Sequence, residues 1–90
     1  MEAVFDRELS LLLQDCSAAI ENLLLGAHAM GLGACWVGVH PFEDCVQRMK
    51  QLLLLPTTVI PIAAISMGNP GEEPGARTRY NHNYVHFEKW

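Results

Sequence analysis

The sequence predicts a small mixed fold in which two helices alternate with two short strands. Residues 15–30 form an apolar stretch rich in helix formers, and residues 41–55 repeat apolar side chains at intervals of three and four. Two further runs, at 34–39 and 57–67, are short and almost continuously apolar. The first two patterns are typical of helices, and the last is typical of buried strands. With 90 residues, the chain is expected to form one domain at most.

The composition indicates that part of the apolar surface is meant for a partner. Hydrophobic residues make up 50% of the chain and charged residues only 18%. A domain of this size buries only about 60–65% of the surface of its unfolded chain. A larger apolar share than the core can take up is typical of a protein interface. The net charge of −4, with no run of Lys or Arg, argues against nucleic acid and anionic membranes as partners.

The same features predict a cytoplasmic protein. The longest leucine runs, Leu11–Leu13 and Leu52–Leu55, are far shorter than the roughly 20 residues of a membrane helix. The first six residues are acidic and lack the layout of a signal peptide. No two cysteines have Cys-x-x-Cys spacing, so we expect reduced thiols that behave as small buried hydrophobes, namely Cys16, Cys35 and Cys45.

The apolar helix is the strongest predicted element. Residues 1–13 have poor periodicity and predict a short helix or an arm. Asp15 or Ser17 can then cap a helix that continues to Met30, and Gly31 suits its C-terminus because glycine accepts a positive φ. Apolar residues lie almost all the way round this helix, which indicates burial on most sides. Ninety residues can hardly surround it, so we expect a second chain to cover part of it.

The remaining elements follow from shorter signals. Pro41 is expected at the first position of the second helix, and Pro56 is expected to end it. In the second strand, residues 57–67, Pro61 lacks an N–H and predicts an edge position or an irregularity. A turn follows at residues 68–71, and the alternation in residues 84–90 predicts an extended tail.

Single motifs favour ordinary structural roles when each is taken alone. The glycines around Cys35-Trp36-Val37 follow a helix instead of preceding one, so a dinucleotide-binding loop is not supported. Arg77 and Arg79 could grip a phosphate, although two arginines in a loop are common. His82 and His86 have metal-ligand spacing only in a helix, and their neighbours are poor helix formers, so a zinc site is a distant alternative to surface histidines. His28, within the apolar helix, is expected to be a hydrogen-bonded core residue.

The order of these motifs resembles the nitroreductase family over residues 15–90. Residues 15–25 and Gly31-Leu32-Gly33-Ala34-Cys35-Trp36-Val37-Gly38 are similar to that family's central helix and following strand. Residues 53–61 and 65–70 resemble the end of its next helix and its next strand, and residues 77–80 and 85–90 resemble its C-terminal tail. The chain is thus identified as the C-terminal portion of a nitroreductase-like protein.

The resemblance implies an α+β fold built as an intertwined homodimer, with a central buried helix, an amphipathic helix and a small sheet. Family members bind FMN at the dimer interface and pass electrons from NADH or NADPH to nitroaromatic or quinone-type acceptors. The resemblance places Trp36, Val37 and Gly38 beside the flavin ring. It places Arg77 and Arg79 near the flavin phosphate. No catalytic residue and no metal ligand is assigned.

The sequence also departs from the family. Family enzymes are about twice as long, and nothing in residues 1–14 resembles the N-terminal loop that holds the FMN phosphate and ribityl chain. Some members have an acidic residue where this chain has Val37. We therefore expect one truncated domain, with an arm or short helix at 1–14, a core at 15–70 and a tail at 71–90. FMN binding is expected to be weak or lost, and a non-enzymatic dimeric interaction module is the alternative function. A separate polypeptide that supplies the N-terminal half is a third possibility.

Overall fold

The computed structural model describes residues 6–90 and shows an α+β architecture, as predicted. Helix α1 (Arg7–Ala29) is followed by strand β1 (Gly33–Gly38), helix α2 (Glu43–Leu53) and strand β2 (Ala63–Gly68). A short 3-10 turn, His82–Tyr84, lies in the C-terminal tail.

Helix α1 is longer than the sequence predicted. It begins at Arg7, where the Asp6 carboxylate accepts a hydrogen bond of 3.0 Å from the Leu9 backbone N–H. The predicted start at Asp15 or Ser17 is therefore wrong, because both residues lie inside the helix. Residues 7–13, expected to form an arm or a separate short helix, are the first turns of α1. The rest of that segment, residues 1–5, lies outside the described residues.

The end of α1 confirms the role predicted for Gly31. This residue has a φ of +79°. Its N–H donates to the His28 carbonyl at 3.0 Å, and the Leu32 N–H donates to the Ala27 carbonyl at 2.9 Å. These two bonds form a Schellman motif, which satisfies carbonyls that the helix end leaves free. The reversal sends the chain directly into β1, which packs against α1.

The two strands form an antiparallel pair, which is the whole sheet within residues 6–90. Gly33 lies opposite Gly68 at one end of the sheet, and Gly38 lies opposite Ala63 at the other. The second strand is shorter than predicted, since it begins at Ala63 and not near residue 57. The irregularity expected at Pro61 fits this boundary, because a proline cannot donate a ladder hydrogen bond.

Both boundaries predicted for α2 are wrong. The helix starts at Glu43 with Phe42 as its N-cap, so Pro41 precedes it and does not occupy its first position. The His40–Pro41 peptide bond is cis. The helix ends at Leu53, before Pro56, and the next residue, Leu54, adopts a left-handed conformation with a φ of 53° and a ψ of 44°.

The C-terminal tail is exposed throughout residues 69–90. It is not the extended segment expected at residues 84–90, because the 3-10 turn enters it and Glu88 has a φ of 69°. Near the terminus, the rings of His86 and Trp90 lie 4.5 Å apart between centroids.

The chain does not build a complete core by itself. Within the described part of the chain, the buried hydrophobic residues are Ala27, Val39 and Val46. The radius of gyration is 17.3 Å, whereas about 12 Å is expected for a compact domain of this length. The accessible surface is 8314 Å², against about 5,200 Å² for a folded monomer of 10.0 kDa. The apolar helix is thus only partly covered by its own chain.

Candidate functional site

The residues predicted to lie beside a ring occupy the second half of β1. Trp36 pairs with Ile65, Val37 with Ala64 and Gly38 with Ala63. Successive side chains of a strand point to opposite faces, so Trp36 and Val37 lie on different faces of the sheet. They are 39% and 50% exposed, respectively, which leaves both faces accessible at this end.

The backbone of β1 also offers polar groups on its outer edge. In an antiparallel pair, only part of the N–H and C=O groups of each strand point to the partner strand. Because β1 has β2 as its one neighbour within residues 6–90, its other groups face away from the sheet. Outward N–H groups of this kind can donate to oxygen or nitrogen atoms of a ligand that lies along the strand.

Gly38 keeps the end of β1 open. A Cβ atom built on this residue would lie 3.9 Å from Cε2 of Phe42, which is an ordinary contact distance. The packing of the chain itself therefore does not require glycine at this position. A small residue here leaves room for a ligand or another polypeptide to approach the backbone.

Arg77 and Arg79 lie in the exposed tail. Across residues 6–90, the hydrogen bonds of the structure do not engage either guanidinium group. Within the described residues, neither arginine therefore has a hydrogen-bond partner that would compete with an anionic ligand. The bidentate geometry of arginine suits a phosphate group at such a position.

The two parts of the predicted site begin from opposite ends of β1. The tail leaves the sheet beside Gly33, because Gly68 pairs with Gly33 and the Pro70 Cα atom lies 3.5 Å from the place where a Gly33 Cβ would be. Gly38 is five residues further along the strand, or roughly 17 Å at about 3.3 Å per residue. The tail that carries Arg77 and Arg79 thus starts roughly 17 Å, at about 3.3 Å per residue, from the end of β1 that carries residues 36–38.

A cavity of about 520 Å³ lies at the Gly33 end of β1, and the sequence did not predict it. Its wall includes His28 from α1 and Glu73 from the loop after β2. His28 is exposed and not a hydrogen-bonded core residue, so that expectation is wrong for the single chain. No sequence signal indicated this cavity, which arises because the antiparallel pairing brings the residues after β2 back beside the end of α1.

The structure also locates the histidines and cysteines. In residues 6–90 there is no group of three His, Cys, Asp or Glu side chains arranged to hold a metal ion. The 3-10 turn at His82 ends at Tyr84, so His82 and His86 do not share a helix face. All three cysteines are free, and two of them, Cys35 and Cys45, are exposed instead of buried as expected. None of the helices in the described range is both long and apolar enough to span a membrane.

Comparison with known proteins identifies the fold and the family. The model of the nitroreductase family matches residues 6–69. A protein of Methanothermobacter thermautotrophicus, provisionally named an NADH dehydrogenase/NAD(P)H nitroreductase, is 48% identical over 77 residues. That match covers 86% of this chain and 40% of the relative.

Two solved structures show the same architecture. A Clostridium acetobutylicum protein, provisionally named an NADH oxidase, has a TM-score of 0.85 at 32% identity, covering 94% of this chain and 52% of the other. The FMN-dependent nitroreductase of Clostridium difficile R20291 has a TM-score of 0.80 at 27% identity, covering 90% of this chain and 51% of the other. The chain spans less than half the length of the first curated relatives that it matches, 40% of one and 46% of another.

Proposed function

The chain belongs to the nitroreductase family, and we propose that it forms part of an FMN-dependent oxidoreductase. In this proposal, electrons pass from NADH or NADPH to nitroaromatic or quinone-type acceptors. The flavin supplies the redox chemistry when it is bound, and the protein binds and orients it. The names of the relatives support this reaction class, since one is called an NAD(P)H nitroreductase and another an FMN-dependent nitroreductase.

The observation that carries the proposal is a pair of open, complementary features, one at the end of β1 and the other in the C-terminal tail. Residues 36–38 offer exposed side chains and an unpaired strand edge, which suit one side of a flat polar ring. Arg77 and Arg79 offer two guanidinium groups that no hydrogen bond within residues 6–90 engages, in the tail that starts at the other end of the strand. FMN is elongated, with its ring at one end and its phosphate at the other. It therefore fits two features at different places better than one compact pocket.

The proposed assembly is a homodimer held through α1, with residues 15–70 as the core of one domain and residues 71–90 as its tail. A second copy would cover apolar surface that the single chain leaves exposed, including Leu11 at 54% and Leu25 at 60%. We place this assembly in the cytoplasm. Binding of FMN by these 90 residues alone is expected to be weak, because they correspond to 40% and 46% of the length of two curated relatives.

A titration with FMN tests the proposal. Saturable quenching of flavin fluorescence, measured on material of known mass from sizing chromatography, is the expected result. Arg77→Ala should weaken binding by about 10- to 100-fold, since a hydrogen bond to a charged group contributes about 1.5–3 kcal/mol and 1.4 kcal/mol is tenfold. The matched control is Arg48→Ala, which removes an equally charged, exposed side chain from α2 and should leave the affinity unchanged.

The same titration decides between this function and the alternative. A dimer that quenches no flavin at high FMN concentration would refute the oxidoreductase proposal. It would favour a non-enzymatic module that keeps the dimer-forming surface of the family. The exposed apolar residues of α1 are the observation that supports this second function.

A further inference from the structure

The cavity at the Gly33 end of β1 is not used by the proposed function. Its volume of about 520 Å³ lies within the range of roughly 300–1,000 Å³ that is typical of small-molecule sites. Residues 36–38 lie toward the other end of the strand, so the cavity is separate from the place proposed for the flavin ring. Arg77 and Arg79 are not among the residues that line it. The cavity is therefore a candidate site for a second ligand.

Three parts of the chain form the wall of this cavity. The C-terminal end of α1 contributes Leu24 and His28, which are four residues apart and so share one face of the helix. The reversal after α1 and the start of β1 contribute residues 31–34, and the loop after β2 contributes the third side. The Schellman motif and the pairing at the end of the sheet hold the first two parts in place. The wall is thus built on regular structure on two of its sides.

The charged groups of the wall favour a cation. Glu72 and Glu73 line the cavity, and no Lys or Arg of residues 6–90 is among the lining residues. The hydrogen bonds within the same range engage neither carboxylate. The end of α1 acts in the same direction, because the C-terminus of a helix carries a partial negative charge. A positively charged group is therefore attracted to this cavity, whereas a phosphate is repelled.

The rest of the wall favours a ligand with a hydrocarbon part. The apolar lining residues come from all three parts of the chain, namely Leu24, Leu32, Ala34, Pro70 and Pro74. Such surface stabilises a complex when an apolar group removes it from water. A bare metal ion would leave this surface uncovered. Within residues 6–90 there is also no group of three His, Cys, Asp or Glu side chains arranged to hold a metal.

We propose that this cavity binds a small organic cation, in which an ammonium or guanidinium group is joined to an aryl or alkyl body. The cationic group lies against Glu72 and Glu73, and the apolar body lies against Leu24 and Leu32. His28 borders the same space with an imidazole ring that can form a hydrogen bond. The site needs neither bound flavin nor a second copy of the chain, so it does not rest on the proposed function.

A titration with phenethylammonium tests the proposal. Two-dimensional NMR spectra of the isotope-labelled protein, recorded without FMN, follow the backbone amide signals. The expected result is a saturable shift of the signals of Gly31, Leu32 and Gly33, which line the cavity. Phenethyl alcohol keeps the aryl body and lacks the charge, so it should bind more weakly. Because the probe has no phosphate and no flavin is added, a failure here is distinct from a failure to bind FMN.

A matched pair of double variants makes the test specific. Glu72→Gln combined with Glu73→Gln should weaken phenethylammonium binding by roughly two- to fivefold for each carboxylate, as expected for exposed ion pairs. The control is Glu43→Gln combined with Asp44→Asn, which removes the same charge from adjacent exposed residues at the start of α2 and should leave the affinity unchanged. The NMR spectra show directly that both variants keep the fold.

Three results would overturn the proposal. The first is equal affinity of the two double variants for phenethylammonium. The second is binding of phenethyl alcohol as tight as that of phenethylammonium. The third is a set of shifts that falls on residues outside the wall of the cavity.

Discussion

Gly31 is the residue whose replacement should reveal most clearly how the fold is held together. Its φ of +79° lies in the left-handed region, where a residue with a Cβ atom costs about 1–2 kcal/mol. No heavy atom lies within 4 Å of a Cβ built on it, so a clash does not contribute. Gly31→Ala should therefore lower the free energy of unfolding by about 1–2 kcal/mol for conformational reasons alone.

Thermal unfolding gives the scale of the expected change. In a domain of this size, 1 kcal/mol corresponds to a shift of about 4–8 °C in Tm, so Gly31→Ala should lower Tm by roughly 4–16 °C. Both proteins must be compared at one concentration, because an oligomer has a concentration-dependent Tm. The control is Gly75→Ala, which lies in open space without a positive φ and should leave Tm within a few degrees. Equal Tm values for the two variants would refute the role assigned to the Schellman motif.

Three further predictions concern the helices. Asp6→Ala should lower stability by about 0.5–2 kcal/mol in a denaturant titration, because it removes the N-cap of α1. Asp15→Ala removes no cap and should not lower stability in this way. Equal losses in the two variants would contradict the assignment of the cap. Leu54→Gly should raise stability by roughly 0.5–1 kcal/mol in the same titration, because relief of about 1–2 kcal/mol of left-handed strain is partly offset by the conformational entropy that glycine loses on folding, and an unchanged midpoint would count against strain at this residue. Leu25→Lys should convert the proposed dimer to smaller species in light scattering, while Leu52→Lys leaves its mass unchanged. An intact Leu25→Lys dimer would exclude the exposed surface around Leu25 as the dimer contact.

The existence of α1 was predictable from sequence, but its start was not. Helix formers and a glycine at the right distance specify the body and the end of the helix. Asp6 and Asp15 are equally good capping residues by type, and only the backbone distinguishes them. Asp6 has a φ of −92° and a ψ of 102°, which free its side chain to accept from Leu9. The leucines at 11–13 do not follow a helical repeat, so the sequence did not indicate that the helix continues across Asp15.

The second strand shows a different limit of sequence reasoning. Residues 57–67 are apolar enough for a strand, but a strand needs a partner of matching length. The partner β1 has six residues, and each of them already pairs with one residue of β2 between Ala63 and Gly68. Apolar residues before Pro61 therefore have no ladder to join within the described residues, and they form a turn and an irregular segment instead.

The candidate site was also predictable only in part, because some of its features depend on residues that are far apart in the chain. The place of Trp36 and its neighbours follows from the strand, because alternation fixes which residues share a face. The cavity beside His28 depends on contacts with residues far along the chain, which no local pattern encodes. Arg77 lies in a segment, residues 72–81, without regular secondary structure, so no local pattern fixes its position relative to β1.

The exposed apolar surface of α1 bears on both the fold and the candidate site. The sequence indicated that ninety residues could not surround this helix, and the structure leaves Ala27 as its one buried residue among those described. In the proposed assembly, exposed apolar residues of α1 would lie in an interface. The end of β1 and the two arginines of the tail would then acquire their final surroundings only in that assembly. Substitutions at the half-buried or buried α1 residues Leu13, Ile20 and Ala27 should change the stability of the chain at every protein concentration. Substitutions at exposed residues of α1, such as Leu11 and Leu25, should change stability by an amount that depends on the logarithm of the partner concentration relative to its Kd.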